Sequence, residues 1–153
     1  MKSEVATSPS AEVAPVPLGC SKFETELQVR PDDIDMNQHV HASRYLDYVL
    51  AARYDQMARC YGMSMEEFTK AGYGWYVRTG RIEYKRPLGL GDHFTVRTWI
   101  DQMFREGVLV RFEIVRRKTG KLSCDGSFHY TMINIKTGRA EVIPEWIIGK
   151  YSI

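Results

Sequence analysis

Between Asp35 and His41 the chain sets one carboxylate, one carboxamide and two imidazoles: Asp35-Met-Asn37-Gln-His39-Val-His41. Ser43-Arg-Tyr-Leu-Asp-Tyr48 follows and opens a run with helical spacing. A carboxylate such as Asp35 can activate water or attack a carbonyl carbon itself. The amide of Asn37 can orient a nucleophile or donate to a substrate carbonyl. An imidazole at His39 can take or relay a proton. A helix beginning near Ala42 offers unpaired N–H groups and a partial positive charge, which suits an oxyanion. Together these are the parts needed to add water to a carbonyl. Each also has a plainer role. Asp and Asn cap turns, a histidine is often a satisfied half-buried side chain, and every helix has such an end.

The same residues bear on metal binding. Asp35, His39 and His41 are a candidate ligand set for Zn2+ or Fe2+. No further Cys or His lies nearby in sequence to complete it, so neither a metal nor an organic cofactor is expected. Cys20, Cys60 and Cys124 are widely spaced with no CxxC, as in a cytosolic protein with reduced thiols.

The elements that must position this cluster are readable from periodicity. Residues 23–30 alternate, with Phe23, Leu27 and Val29 on one face, and predict a strand ended by Pro31. A long amphipathic helix is expected from Ser43 as N-cap, with Leu46, Val49, Leu50, Tyr54, Met57, Cys60 and Tyr61 as its apolar stripe. Gly62 can close it. A short second helix at 64–70 carries the capping-box pair Ser64 and Glu67. From residue 73 the period becomes two. Trp75 and Val77 have one parity, Ile82 and Tyr84 the other, which predicts a bulge near Thr79–Gly80. Three more strands follow, centred on Phe94–Ile100, Val108–Ile114 and Leu122–Met132. Glu106-Gly107 and Lys118-Thr-Gly120 join them as hairpins. Lys118-Thr-Gly120 and Lys136-Thr-Gly138 echo a penicillin-binding motif, but no Ser-x-x-Lys accompanies them, so both read as turns.

A strand, a long helix and a meander imply an α+β domain with the helix wrapped by a curved sheet. Residues 1–21, rich in Ser, Ala, Pro and Val, are expected to form a disordered tail, and residues 22–153 the single domain. Meanders leave edges, which two copies can pair to protect. The 153 residues carry 21 basic and 19 acidic side chains. A net charge of +2 does not suggest nucleic acid. No apolar run reaches the ~20 residues of a membrane span, and no secretory h-region is apparent. A cytoplasmic protein is expected.

The order of elements resembles the hot-dog fold. Asp33-Ile-Asp-Met-Asn-Gln-His-Val-His-Ala-Ser-Arg-Tyr45 is similar to the active-site stretch of hot-dog acyl thioesterases, above all the plant-type acyl-carrier-protein thioesterases. Their pattern is Asp-x-Asn-x-His-Val, then Asn-Asn and a Tyr. Asp35, Asn37, His39 and Tyr45 fall on it, and Glu83-Tyr-Lys-Arg86 resembles the family's Glu-Tyr-Arg-Arg strand. The related 4-hydroxybenzoyl-CoA thioesterase family has an Asp-x-Asp here; its catalytic second Asp corresponds to Asp35 and its oxyanion donor to the Ala42 N–H. The chain departs from the plant type twice. Leu88 stands where that family has a cysteine, and His41 where it has an asparagine. Plant-type chains also hold two repeats; this one has room for one, implying a homodimer or dimer of dimers.

The resemblance implies hydrolysis of an acyl thioester, on acyl carrier protein or coenzyme A, to an acid and a thiol. Asp35, Asn37 and His39 would be catalytic, as base or nucleophile and its assistants; Ala42 and Tyr45 would bind substrate. Tyr45, Tyr48, Tyr54, Met57, Trp75 and Tyr76 are candidates to line an acyl channel. Arg78, Arg81, Lys85 and Arg86, or Arg116, Arg117, Lys118 and Lys121, could meet the carrier's phosphates or acidic surface. Two other classes use similar residues: an acyl-binding module without turnover, and an enoyl hydratase or dehydratase.

Overall fold

The computed structural model describes residues 21–153. The N-terminal tail expected at 1–21 lies, but for Ser21, outside the described residues.

Alternation makes the sheet. β1 (Phe23–Gln28) shows alternating burial, and β3 (His93–Met103) buries Phe94, Val96, Thr98 and Ile100 on one face. β4 (Gly107–Arg116) and β5 (Leu122–Asn134) complete the meander with β2 (Tyr73–Tyr84). All five strands form one antiparallel sheet in the order β1-β3-β4-β5-β2. β1 and β2 are thus the edges. The expected bulge is present, slightly earlier than the parity flip suggested: the β2–β5 register shifts between Val77 and Thr79. The hairpins at Glu106-Gly107 and Lys118–Gly120 are where expected, and Gly120 takes a φ of 69°. Gly126 is needed for close approach: a Cβ there would lie 1.9 Å from the Arg81 carbonyl oxygen on β2.

α1 (Tyr45–Arg59) packs its inner side on this sheet. Its start differs from expectation. A 3-10 turn at Ala42–Arg44 precedes it, and Ser43 lies inside that turn rather than capping the helix. The buried stripe is also rotated. Tyr45, Tyr48, Val49, Ala52, Arg53, Gln56 and Met57 face the core, while Leu50 and Tyr54 are exposed. Two polar side chains were hidden from a reading that followed apolar residues alone. Gln56 is fully buried because Thr98, Thr25 and the Val96 carbonyl satisfy its amide, as burial of an amide requires. The outer side is fixed to β1: Asp55 accepts from Thr25 (2.6 Å), and Arg59 bridges Asp55 and the Glu24 carbonyl.

α2 (Met65–Lys70) begins with the capping box the sequence predicts: Ser64 Oγ accepts from Glu67 N–H, and Glu67 accepts from Ser64 N–H. α3 (Glu145–Tyr151) was not foreseen. It buries Ile147 and Tyr151 against the core, where Tyr151 stacks on Tyr61 and donates to the Met63 carbonyl. Among the described residues no helix is long and apolar enough to cross a membrane.

Candidate active site

The polar cluster folds into a small closed loop between β1 and α1. Ile34 and Val40 bridge its two arms, and Asp35 N–H donates to the His39 carbonyl (2.8 Å). Asp35 Oδ1 accepts from both Asn37 N–H (2.9 Å) and His39 N–H (3.1 Å). The turn is tight enough that Gln38 takes a φ of 64°, uncommon for a residue with a side chain. One oxygen of Asp35 therefore closes the turn, while no hydrogen bond engages Oδ2 among the described residues. The His39 N–H, and secondarily the Asn37 N–H and the imidazoles of His41 and His39, hold the Asp35 carboxyl below the usual carboxylate range. It is ionised at neutral pH.

Asp33 is what holds this loop, a role that its place in the motif alone does not reveal. Its carboxylate is 3% exposed. It accepts from Tyr48 (2.7 Å) and faces Arg30 (3.4 Å) and Arg44 (3.5 Å). Its backbone carbonyl takes the His41 N–H. Burial and the Asp33 carboxylate push the Tyr48 phenol up to about 12, so it stays a donor. Tyr48 is thus a strut rather than part of an acyl channel.

The far side of the loop is anchored to the connection between β2 and β3. Val40 N–H donates to the Leu88 carbonyl, Leu88 N–H donates to the Tyr45 hydroxyl (2.9 Å), and His39 bridges Gly89. Leu88 is fully buried there. Tyr45, expected against substrate, is buried with its ring edge-on to Tyr84. Tyr84 in turn donates to the Ala42 carbonyl (2.7 Å). Ala42 opens the 3-10 turn into α1; among the described residues its N–H and that of Ser43 meet no acceptor. The structure therefore gathers the Asp35 carboxylate, the exposed Asn37, His39 and His41, and two unpaired N–H groups at one helix start.

No three His, Cys, Asp or Glu side chains come together at metal-binding geometry among the described residues. Cys124 is buried, and burial together with Asp125 pushes its thiol up to about 12, which keeps it protonated and poorly nucleophilic.

A second feature lies further along α1. A cavity of about 350 Å³ opens between α1, α2, α3 and the sheet. Met57, Met65, Trp75, Ile100 and Tyr151 line it, and the exposed Leu50 and Tyr54 stand at its side. Of the aromatic candidates, Tyr54 and Trp75 thus line this cavity, whereas Tyr76 lines a separate one with Arg78 and Thr131. Of the basic candidates, Arg116 is tied to Asp92 (2.9 Å) and Lys85 to Glu83 (3.2 Å), whereas Arg78 and Arg81 on β2 are exposed.

A family model described as the thioesterase-like superfamily matches residues 29–150. The chain belongs to that superfamily. It is 26% identical over 118 residues to the long-chain acyl-CoA thioesterase FadM of Escherichia coli, covering 77% of this chain and 88% of the relative. Among solved structures it resembles a DHNA-CoA thioesterase from Staphylococcus aureus, with a TM-score of 0.79, 24% identity and coverage of 86% and 89% of the two chains. It also resembles the S. aureus protein SAV2348, solved in complex with CoA, with a TM-score of 0.77, 22% identity and coverage of 90% and 84%. The hot-dog architecture expected from the order of elements is thereby established, and the superfamily's members are thioesterases.

Proposed function

We propose that this protein hydrolyses acyl-CoA thioesters to a carboxylic acid and free coenzyme A. The observation that carries the reading is the ionised Asp35, with one oxygen unengaged, on the loop that feeds the unpaired N–H groups of Ala42 and Ser43. The thioester carbonyl sits against those N–H groups, where the helix end stabilises the developing oxyanion. Asp35 Oδ2 attacks the carbonyl carbon or takes a proton from an attacking water. Asn37 and His39 flank the reacting centre, one as amide donor and the other as proton relay to the departing thiolate. Tyr45 and Tyr84 position the turn that carries the oxyanion donors.

Coenzyme A is preferred as carrier because FadM acts on acyl-CoA and SAV2348 was captured with CoA. Arg78 and Arg81, exposed on β2 without ion-pair partners among the described residues, suit its phosphates. The working unit is a homodimer paired through β2. That edge strand exposes Tyr76, Val77 and Tyr84, and long apolar edges invite pairing. The other edge, β1, is buttressed by α1.

The test is thiol release from matched acyl-CoA and acyl-carrier-protein series. Faster release from CoA is expected. Release from the carrier protein alone would overturn the carrier, and saturable binding with intact thioester on both would make the protein a binding module. Interconversion of enoyl and hydroxyacyl thioesters without thiol release would make it a hydratase.

A further inference from the structure

The cavity along α1 is apolar except for one charge. Arg53 lines it and is only 7% exposed. Its guanidinium carries five N–H donors, yet it makes one long hydrogen bond, to Thr98 Oγ1 (3.4 Å), and lies over the Tyr61 ring at 5.4 Å. Among the described residues no carboxylate is paired with it. The acids on neighbouring helices are engaged elsewhere: Asp55 by Arg59 and Thr25, Glu66 by Tyr54, and Glu67 by the Ser64 N–H. A buried cation without a counter-ion is costly, and a pocket that only held hydrocarbon would be better served by a methionine or leucine. The charge has a use if the ligand supplies the anion.

We propose that Arg53 is a specificity residue that binds a carboxylate at the distal end of the acyl group, so that the preferred substrates are acyl thioesters of ω-carboxy acids. This rests on the thioesterase reading above. The geometry is consistent in length: α1 rises about 1.5 Å per residue, which sets Arg53 about 16 Å beyond Ala42, and an extended medium- to long-chain acyl group spans that. The thioester would then lie at the start of α1 and the carboxylate about two turns further along it, with Leu50 beside the acyl chain between them. The planar guanidinium fork matches a carboxylate in a way an ammonium does not.

Two readouts test this. In the first, a medium-chain free fatty acid and the primary alcohol of equal length are titrated against the native protein and Arg53→Met, following the fluorescence of Trp75, which lines the cavity, with Trp75→Phe as the blank. The acid is expected to bind at least about tenfold tighter than the alcohol, as a charge-assisted hydrogen bond predicts, and Arg53→Met to lose that ratio. In the second, kcat/KM is compared for ω-carboxyacyl-CoA and methyl-terminated acyl-CoA of the same length; the native protein favours the former and Arg53→Met reverses the order. Equal binding of acid and alcohol by the native protein, or an acid preference that survives in Arg53→Met, overturns the proposal. Should Arg53→Met fail to fold, the native comparison decides, with Arg53→Lys expected to weaken but keep the preference. Binding of the free acid needs no turnover. Acid selectivity without thiol release would sink the thioesterase reading alone, and thiol release without acid selectivity would sink the Arg53 proposal alone.

Discussion

In the proposed mechanism Asp35 has two jobs, and they use different oxygens. Oδ1 closes the loop through two N–H groups, and Oδ2 is left for chemistry. The turn-capping role and the catalytic role are therefore not alternatives; the first fixes the carboxylate's aim for the second. The sign of the pH dependence follows. The N–H of His39, then that of Asn37 and the two imidazoles, lower the carboxyl's pKa, so the ionised form persists below the ordinary value of about 3.9. Activity that depends on this group alone is lost only as pH falls through that lowered value, and kcat/KM should stay level as pH falls from 7 to 5. A pH–rate profile with an acid limb near 6.5 would instead make an imidazole the essential base. Asp35, Asn37 and His39 were legible as a chemical set because their spacing is local. Arg53 and Gln56 were not. Periodicity marks apolar positions, and a buried polar residue is recognisable only once its partners across the fold are in place.

Elements place the site by gripping one short loop from three sides. Asp33 pins it to α1 through Tyr48, Leu88 and Gly89 pin it to the connection between β2 and β3, and Tyr84 at the end of β2 holds the Ala42 carbonyl. Asp33→Ala removes a buried charge-assisted bond and should lower unfolding stability by about 1.5–3 kcal/mol, read as a shift in the urea midpoint with unchanged slope. A change within 0.5 kcal/mol would mean that the loop is held elsewhere. Local signals were read well here. The capping box at Ser64, the hairpin at Lys118–Gly120 and the bulge in β2 each depend on residues within a few positions. Ser43 is a good cap by type, but the 3-10 turn at Ala42–Arg44 moves the cap one residue on, to Arg44. α3 is hard to read from sequence because it spans only seven residues, too few to show a helical period, and its Trp146 is half-exposed.

At the scale of the whole molecule, the sheet has two unlike edges. β1 is tied to α1 by Asp55 and Arg59, and β2 shows aromatic and β-branched side chains along its length. Light scattering on an eluting peak should give twice the chain mass, and a Val77→Glu/Tyr84→Glu double variant should shift it toward one. A native peak at one chain mass across the concentration range would contradict pairing through β2. The exposure of Leu50 and Tyr54 on α1 belongs to the same scale. Helical periodicity places them in the core stripe, but they stand at the open side of the cavity, where an acyl chain would cover them.

The central claim is that Asp35 carries the chemistry of thioester hydrolysis. Asp35→Asn tests it most directly, because an amide oxygen can still accept from the Asn37 and His39 N–H groups while the charge is removed. Thiol release from long-chain acyl-CoA, followed beside the native protein, should fall by about 10²–10⁴-fold in kcat with the fold intact by circular dichroism. Equal rates for the two proteins would contradict the account.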